Sequence, residues 1–255
     1  MNRVLARKWL RKAAIVAGKA VGAYHPSKAA GLAVNPTDWI QLAERAGNKK
    51  FAETLGGPFP SEPMADHQGL SLPSDPDWCF RWQVFDVPSS YVRGGHDWMT
   101  GCGIRRVELD ENGHEPPFDV VALYSLQTNT LYHASRQDGD ARRNNALLKI
   151  GRSAEPPLRA GIVVADGERV APEVWSLAEV LAGPQSWAPL VAGPFASVAA
   201  FASGQTDVLL IPPALHRNEL FQMALPVAQM AGASVIEHPG TGITILQAES
   251  IVNSQ

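Results

Sequence analysis

The sequence is poor in cysteine and in long apolar runs. Only Cys79 and Cys102 occur among its 255 residues, too few for a disulfide framework or a cysteine-rich zinc site. We expect both to be reduced, buried thiols on strands. No apolar run of roughly 18 residues is present, so no membrane-spanning helix is predicted. The predicted location is the cytoplasm, or an organelle matrix if residues 1–24 are a targeting segment.

Acidic residues are absent from residues 1–37, although the whole chain has a net charge of −3. Basic and apolar residues alternate there, so residues 2–24 are predicted to form an amphipathic helix. One interpretation is the first helix of the core. The other is an arm that binds a protein assembly, nucleic acid or an anionic surface. The candidate contacts of such an arm are Arg3, Arg7, Lys8, Arg11 and Lys12.

Apolar periodicity and turn residues divide the chain into alternating elements. Helices are predicted over residues 2–24, 37–55, 172–181, 194–203 and 217–231. Strands are predicted over residues 79–86, 101–109, 118–125, 131–134, 161–165, 190–192, 208–211, 234–237 and 243–246. Residues 56–77 and 135–158 are predicted to be irregular. Strands in succession, followed by alternating strands and helices, indicate an α+β protein with two sub-domains, residues 1–150 and 151–255, in one compact unit.

A strand that runs into a turn covers residues 80–92 and reads Phe-Arg-Trp-Gln-Val-Phe-Asp-Val-Pro-Ser-Ser-Tyr-Val. It resembles the signature of the inositol monophosphatase superfamily, Trp-x-x-Asp-x-x-Asp-Gly-Thr-x-Asn-Phe. In this comparison Gln83 stands at the first Asp and Asp86 at the second. Residues 87–88, Val-Pro, replace the Gly-Thr, which removes a backbone donor and adds bulk.

The resemblance extends over nearly the whole chain through the order of its pieces. A glycine-containing turn at residues 94–97 precedes two strands joined by an acidic Asn-Gly turn at residues 110–114. The last helix ends in Ala-Gly at residues 231–232 and runs into a strand. The resemblance therefore implies the family's layered αβαβα sandwich. It also implies a homo-oligomer, commonly a dimer, or a subunit of a protein assembly.

Magnesium chemistry is the next implication of the resemblance. Members of the family are similar in holding two or three Mg²⁺ ions with carboxylates around a phosphate ester. Asp86 keeps one ligand position, and Glu219 lies one residue from another. No glutamate pair follows the second helix, which leaves Asp66 or Glu62 as substitutes. Gln83 offers an amide oxygen but offsets none of the charge of the ion.

Two interpretations stay open at several of these positions. The other interpretation of Glu219, and the preferred one, is an ordinary solvated or first-turn glutamate, which the helix dipole favours. Ser89 and Ser90 are candidate substrate-binding residues. With Asp86 and the His-Asp pair at residues 96–97 they could form a hydrolytic group, or they could be polar residues of a surface turn.

The metal-ligand positions that this sequence keeps and lacks, compared with the family signature, favour one function over another. The favoured hypothesis is a catalytically silent or impaired protein of the inositol monophosphatase fold that needs no cofactor. It would act by binding, as an assembly subunit or as a binder of a phosphorylated small molecule. The alternative is an active Mg²⁺-dependent phosphoric monoester hydrolase for an inositol, sugar or nucleotide phosphate. A third hypothesis is a metabolic or structural protein whose resemblance to the family is coincidental.

Overall fold

The computed structural model describes residues 3–26, 35–56, 64–66, 69–71, 78–95, 97–109, 115–151, 158–183 and 189–248. The helices are α1 (Arg3–Ala23), α2 (Pro36–Gly56), α3 (Pro88–Val92), α4 (Pro172–Ala182), α5 (Pro194–Ala202), α6 (Pro213–His216) and α7 (Glu219–Met230). The first eight strands are β1 (Met64–Asp66), β2 (Gly69–Ser71), β3 (Trp78–Gln83), β4 (Thr100–Arg106), β5 (Val120–Ser125), β6 (Thr130–Ser135), β7 (Asp140–Arg143) and β8 (Ala146–Leu147). The remaining strands are β9 (Ala160–Val163), β10 (Leu190–Ala192), β11 (Val208–Ile211), β12 (Ala233–Glu237) and β13 (Thr244–Ala248).

Five layers stack in the order helices, sheet, helices, sheet, helix. A six-stranded antiparallel sheet has the strand order β3-β4-β5-β6-β7-β8, and a five-stranded mixed sheet has the order β10-β9-β11-β13-β12. Helices α1 and α2 cover the outer face of the first sheet, and α5 and α7 lie between the sheets. Helix α4 packs on the outer face of the second sheet. The predicted α+β class and the layered αβαβα sandwich are confirmed.

The two sheets occupy separate stretches of the chain. The six-stranded sheet lies within residues 78–147, and the five-stranded sheet lies within residues 160–248. A division near residue 150 falls between them. The two-sub-domain organisation itself stays a prediction of the sequence.

The side chains of β3 and β4 alternate between the two faces of the first sheet. Phe80, Trp82 and Cys102 point to the core under α1, because successive side chains of a strand point to opposite faces. The other face carries Gly101, where a Cβ would lie 2.5 Å from the ring of Phe195 at the start of α5. The absence of a side chain there lets α5 approach the sheet closely.

Strands β7 and β8 correct the prediction that residues 135–158 are irregular. Strand β7 pairs with β6, and β8 pairs with β7, in a meander whose turns contain Gly139 at φ 62° and Asn144 at φ 55°. Asp138-Gly139 is a strong hairpin signal that predicts this turn. Part of the predicted loop at residues 56–77 also differs, because β1 and β2 pair antiparallel within it.

Both cysteines of the chain are reduced and buried, as expected. The Sγ of Cys102 lies 3.3 Å from the carbonyl oxygen of Leu10 on α1. Burial raises the pKa of the Cys102 thiol well above its ordinary value, so the thiol stays protonated. Within the residues that the structure describes, no helix has the length and apolar character to cross a membrane.

Helix α1 is tied to the first sheet through its basic residues. Arg7 forms ion pairs of 2.7 Å with both Asp138 and Asp140. Its guanidinium also donates to Nδ1 of His133, at 3.0 Å from Nη2 and 3.1 Å from Nε. Arg11 donates to the side chain of Asn145 at 3.3 Å. Two of the five proposed contacts of a partner-binding arm are therefore engaged with the sheet.

The remaining arm residues differ from these two. Lys8 and Lys12 are exposed, although the Lys12 ammonium lies 4.7 Å from the ring centroid of Trp9. The side chain of Arg3 lies outside the described part of the chain. The packing supports the interpretation of α1 as the first core helix, while partner binding through Lys8 and Lys12 stays a prediction.

Candidate functional site

Asp86 lies just beyond the end of β3, between the two sheets. The residue is 2% exposed. Oδ1 accepts a hydrogen bond of 2.8 Å from the backbone N–H of Met99, and Oδ2 accepts one of 2.8 Å from the backbone N–H of Phe195. The Asp86 N–H donates in turn to the Met99 carbonyl at 3.2 Å. Both carboxylate oxygens are thus engaged by main-chain donors.

The bond to Phe195 makes Asp86 the cap of helix α5. The N-cap residue of α5 is Gly193, which has no side chain to accept from the first helical N–H groups, and Pro194 carries no N–H. Asp86 supplies the acceptor that a serine or aspartate N-cap normally provides. A Cβ on Gly193 would overlap Val87 and lie 3.0 Å from Asp86 Oδ2. Glycine is therefore required for this approach.

Burial raises the pKa of the Asp86 carboxyl to about 7, although backbone hydrogen bonds, those from Met99 and Phe195 among them, oppose the shift. A metal ligand must be ionised and must present a lone pair to the ion. In this structure each Asp86 oxygen already uses one lone pair for a main-chain donor, and burial disfavours the charged form in the absence of a cation.

Gln83 ends strand β3, at the position where the resemblance expects a carboxylate. Its side-chain amide donates a hydrogen bond of 3.1 Å to the carbonyl of Phe85. The residue therefore closes the turn between β3 and Asp86. It adds no negative charge to the site.

Glu219, the first residue of α7, is held by two arginines of the first sheet. Its Oε1 lies 3.1 Å from Arg105 Nη2 and 3.5 Å from Arg81 Nε. The register pairs Arg81 with Gly103 and Arg105 with Cys79, which places both arginines on the face that looks toward α5 and α7. Glu219 is thus surrounded by arginine side chains, whereas a metal centre at this place would need further anionic ligands.

The side chains of the other two proposed ligands, Asp66 and Glu62, are not described by the structure. The backbone of Asp66 lies in β1. Across the part of the chain that the structure describes, no group of three or more His, Cys, Asp or Glu side chains is placed to hold a metal ion. The donors described do not fit a two-magnesium centre.

The two serines proposed for substrate binding form hydrogen bonds within the protein. Ser89 donates to Asp166 through its hydroxyl and through its N–H, the latter at 3.2 Å and 3.3 Å from the two carboxylate oxygens. Arg93 Nη2 lies 2.9 Å from Ser89 Oγ. Ser90 donates to Asp97. Asp166, in the loop after β9, was missed by the sequence reasoning, because its partner is distant in the chain.

A cavity of about 440 Å³ lies at the start of α7, and the sequence reasoning missed it. Charged, polar and proline side chains line it: Arg105, Glu115, Pro116, Pro117, His216, Arg217, Glu219 and Gln222. Arg105, which lines it, stands at an alternate position of β4, which in the sequence is typical of a side chain that faces solvent.

No family model and no curated protein matches the sequence. Solved structures do match it. The extragenic suppressor protein SuhB of Bartonella henselae is 14% identical, with 97% of this chain and 95% of that chain covered at a TM-score of 0.71. The inositol monophosphatase of the cyanobacterium Anabaena is 14% identical, with 98% and 93% covered at 0.68. SuhB of Mycobacterium tuberculosis is 15% identical, with 98% and 93% covered at 0.67. At such identities the similarity shows the fold.

Proposed function

Because the chain has the inositol monophosphatase fold, we propose that it binds a small phosphorylated molecule and does not hydrolyse it through magnesium ions. The observation that carries the proposal is the state of the two carboxylates nearest to the family's ligand positions. Asp86 accepts from two backbone amides, and Glu219 is paired with two arginines. Both carboxylates are therefore already engaged by other groups of the protein.

Electrostatics supports the absence of a two-metal centre. Two Mg²⁺ ions near Glu219 would also lie near the Arg81 and Arg105 guanidiniums, and like charges a few ångströms apart in a partly buried site repel strongly. Gln83 offsets none of that repulsion. A phosphate group experiences the opposite effect, because arginines attract it without the help of a metal.

Metal loading and turnover together test the proposal. Crystals soaked in Mn²⁺ are expected to show no anomalous peak between Asp86 and Glu219. Inositol, sugar and nucleotide phosphates are expected to release no phosphate with Mg²⁺ present. Calorimetry with glycerol 2-phosphate in EDTA is expected to show binding.

A different result would establish the alternative function. Two bound ions at these carboxylates, with hydrolysis that the Glu219→Gln variant abolishes, would identify an active Mg²⁺-dependent phosphatase. The Glu173→Gln variant, at an exposed first-turn position of α4, is the matched control for loss of one negative charge.

A further inference from the structure

The solvent face of helix α1 carries positive charge along much of its length. Lys8, Lys12 and Lys19 are exposed, and their spacing of four and seven residues places them on one stripe of the helix. No acidic residue occurs in residues 1–37, so no charge within α1 offsets them. At the helical rise per residue, the stripe from Lys8 to Lys19 is about 16 Å long.

Two arginines extend this stripe toward the edge of the first sheet. Arg11 donates to Asn145 in the turn between β7 and β8. Arg142 of β7 pairs with Asp140, while its side chain stays 44% exposed. Partial burial, and then the charges of Arg7 and Arg142, lower the pKa of Arg11 below its ordinary value. These cations therefore lie close enough to repel one another, and a bound anion would relieve that repulsion.

The stripe and its two arginines are named here the basic face, which consists of Lys8, Arg11, Lys12, Lys19 and Arg142. Two aspartates lie beside it, and both are already paired: Asp138 and Asp140 each lie 2.7 Å from Arg7. Counted with these three residues, the basic face carries a net charge of about +4. The neighbouring helix α2 carries equal numbers of acidic and basic residues. An extended anionic surface matches such a face better than a single small anion does.

Exposed aliphatic side chains beside these cations favour a lipid bilayer over a nucleic acid. Val4 and Leu5 precede Lys8 by four and three residues and are 72% and 40% exposed. Leu147, which is 51% exposed, is the register partner of Arg142. Aliphatic residues next to lysines are typical of helices that lie on an anionic membrane, where they enter the headgroup region. Nucleic-acid faces rely instead on arginine and on aromatic side chains that stack on bases.

We propose that the basic face docks on the surface of a bilayer that contains anionic lipid, with Val4 and Leu5 in the headgroup region. The lysines and arginines supply the attraction to the negative headgroups. The aliphatic pair supplies an apolar contact that a purely polar anion cannot offer. The docking is independent of whether the chain binds a small phosphorylated molecule.

Co-sedimentation of the full chain with vesicles of equal parts phosphatidylcholine and phosphatidylserine tests the proposal. The wild type is expected to bind these vesicles, to ignore pure phosphatidylcholine, and to bind more weakly as NaCl is added. The Lys8→Gln/Lys12→Gln variant should bind about 25-fold more weakly, at about fivefold for each lysine. The Val4→Gln/Leu5→Gln variant should lose about three- to tenfold. The Arg169→Gln/Arg217→Gln variant removes the same charge at exposed positions outside the face and should bind as the wild type does.

Four other outcomes overturn the proposal. The first is no sedimentation with the anionic vesicles at low salt. The second is an equal loss in the Lys8→Gln/Lys12→Gln and Arg169→Gln/Arg217→Gln variants, which would show that net charge alone decides. The third is a loss in Lys8→Arg/Lys12→Arg, which keeps the charge and should bind as the wild type does. The fourth is tighter binding to a single-stranded oligonucleotide than to the vesicles, with no effect of Val4→Gln/Leu5→Gln, which would identify a nucleic-acid face.

Discussion

Replacing Arg7 by alanine should lower the free energy of unfolding by about 3 kcal/mol. The Arg7 side chain is 14% exposed and joins α1 to the turn and strand around Asp138 and Asp140. The exposed pair with Asp138 contributes under about 1 kcal/mol. Loss of the donors to Asp140 and to the buried Nδ1 of His133 costs about 1 kcal/mol or more each. Loss of the packed side-chain stem adds to these.

The pH dependence of stability provides a second readout at the same contact. His133 Nε2 donates to the carbonyl of Asn144 at 3.0 Å, so Nδ1 is the acceptor for Arg7 and the ring is neutral. Burial, and then the charges of Arg7 and Arg11, lower the pKa of His133 to about 4, against the opposing influence of the Asn144 bond and Asp140. The unfolded chain, with a histidine pKa near 6.5, binds the proton first. The contribution of His133 is therefore present above about pH 6.5 and lost as the pH falls to about 4, a loss of about 3 kcal/mol.

Urea unfolding at pH 7.5, 5.5 and 4.5 checks both statements. Arg7→Ala should lose about 3 kcal/mol at pH 7.5, and its stability should fall less steeply with acid, because the pKa of His133 rises once Arg7 is gone. Lys8→Ala, the exposed neighbour on the same helix, should stay within about 0.5 kcal/mol of the wild type. If the two variants lose the same amount, or if the wild type gains stability between pH 6.5 and 4, the reasoning is refuted.

Three further outcomes are expected. Gly193→Ala should lose about 2–3 kcal/mol by calorimetry, because its Cβ would overlap the segment around the capping carboxylate, whereas Gly151→Ala, with open space around it, should stay within about 1 kcal/mol. Glu219→Gln should lose about 2–3 kcal/mol in urea, since Arg105 loses one of its two charge partners, and the exposed Glu173→Gln should not. Millimolar Mg²⁺ should raise the melting temperature no more than NaCl of equal ionic strength, and a rise of several degrees would indicate a metal site among these carboxylates.

The order of helices and strands was predictable because each element has its own period and boundaries in the sequence. Phe80 and Trp82 alternate with polar residues, and Pro172 and Pro194 stand at the first positions of α4 and α5. Residues 56–77 and 135–158 were predicted to be irregular, but each stretch contains two short strands. Strands of two to four residues, such as β7 and β8, are too short to show an apolar period.

The environment of the candidate site was not predictable in the same way. Asp86 is identified by its place in the resemblance, but its partners are backbone N–H groups 13 and 109 positions away, and main-chain donors have no sequence signature. Glu219 and Arg105 are 114 positions apart. Only the folded chain shows that the charge expected to bind a cation is already paired with arginine.

The cap that Asp86 gives to α5 has a consequence for how the protein unfolds. The same carboxylate holds Met99, in the segment leading into the first sheet, and Phe195, beneath the second. Separating the two halves would break the bond between Asp86 and Phe195 and leave the buried Phe195 amide without an acceptor, so partial opening at this place is costly. The amide proton of Phe195 should therefore exchange with solvent about as slowly as the core amides of the two sheets. An aspartate whose position resembles that of a metal ligand would then act as the point of cooperativity between the two sheets.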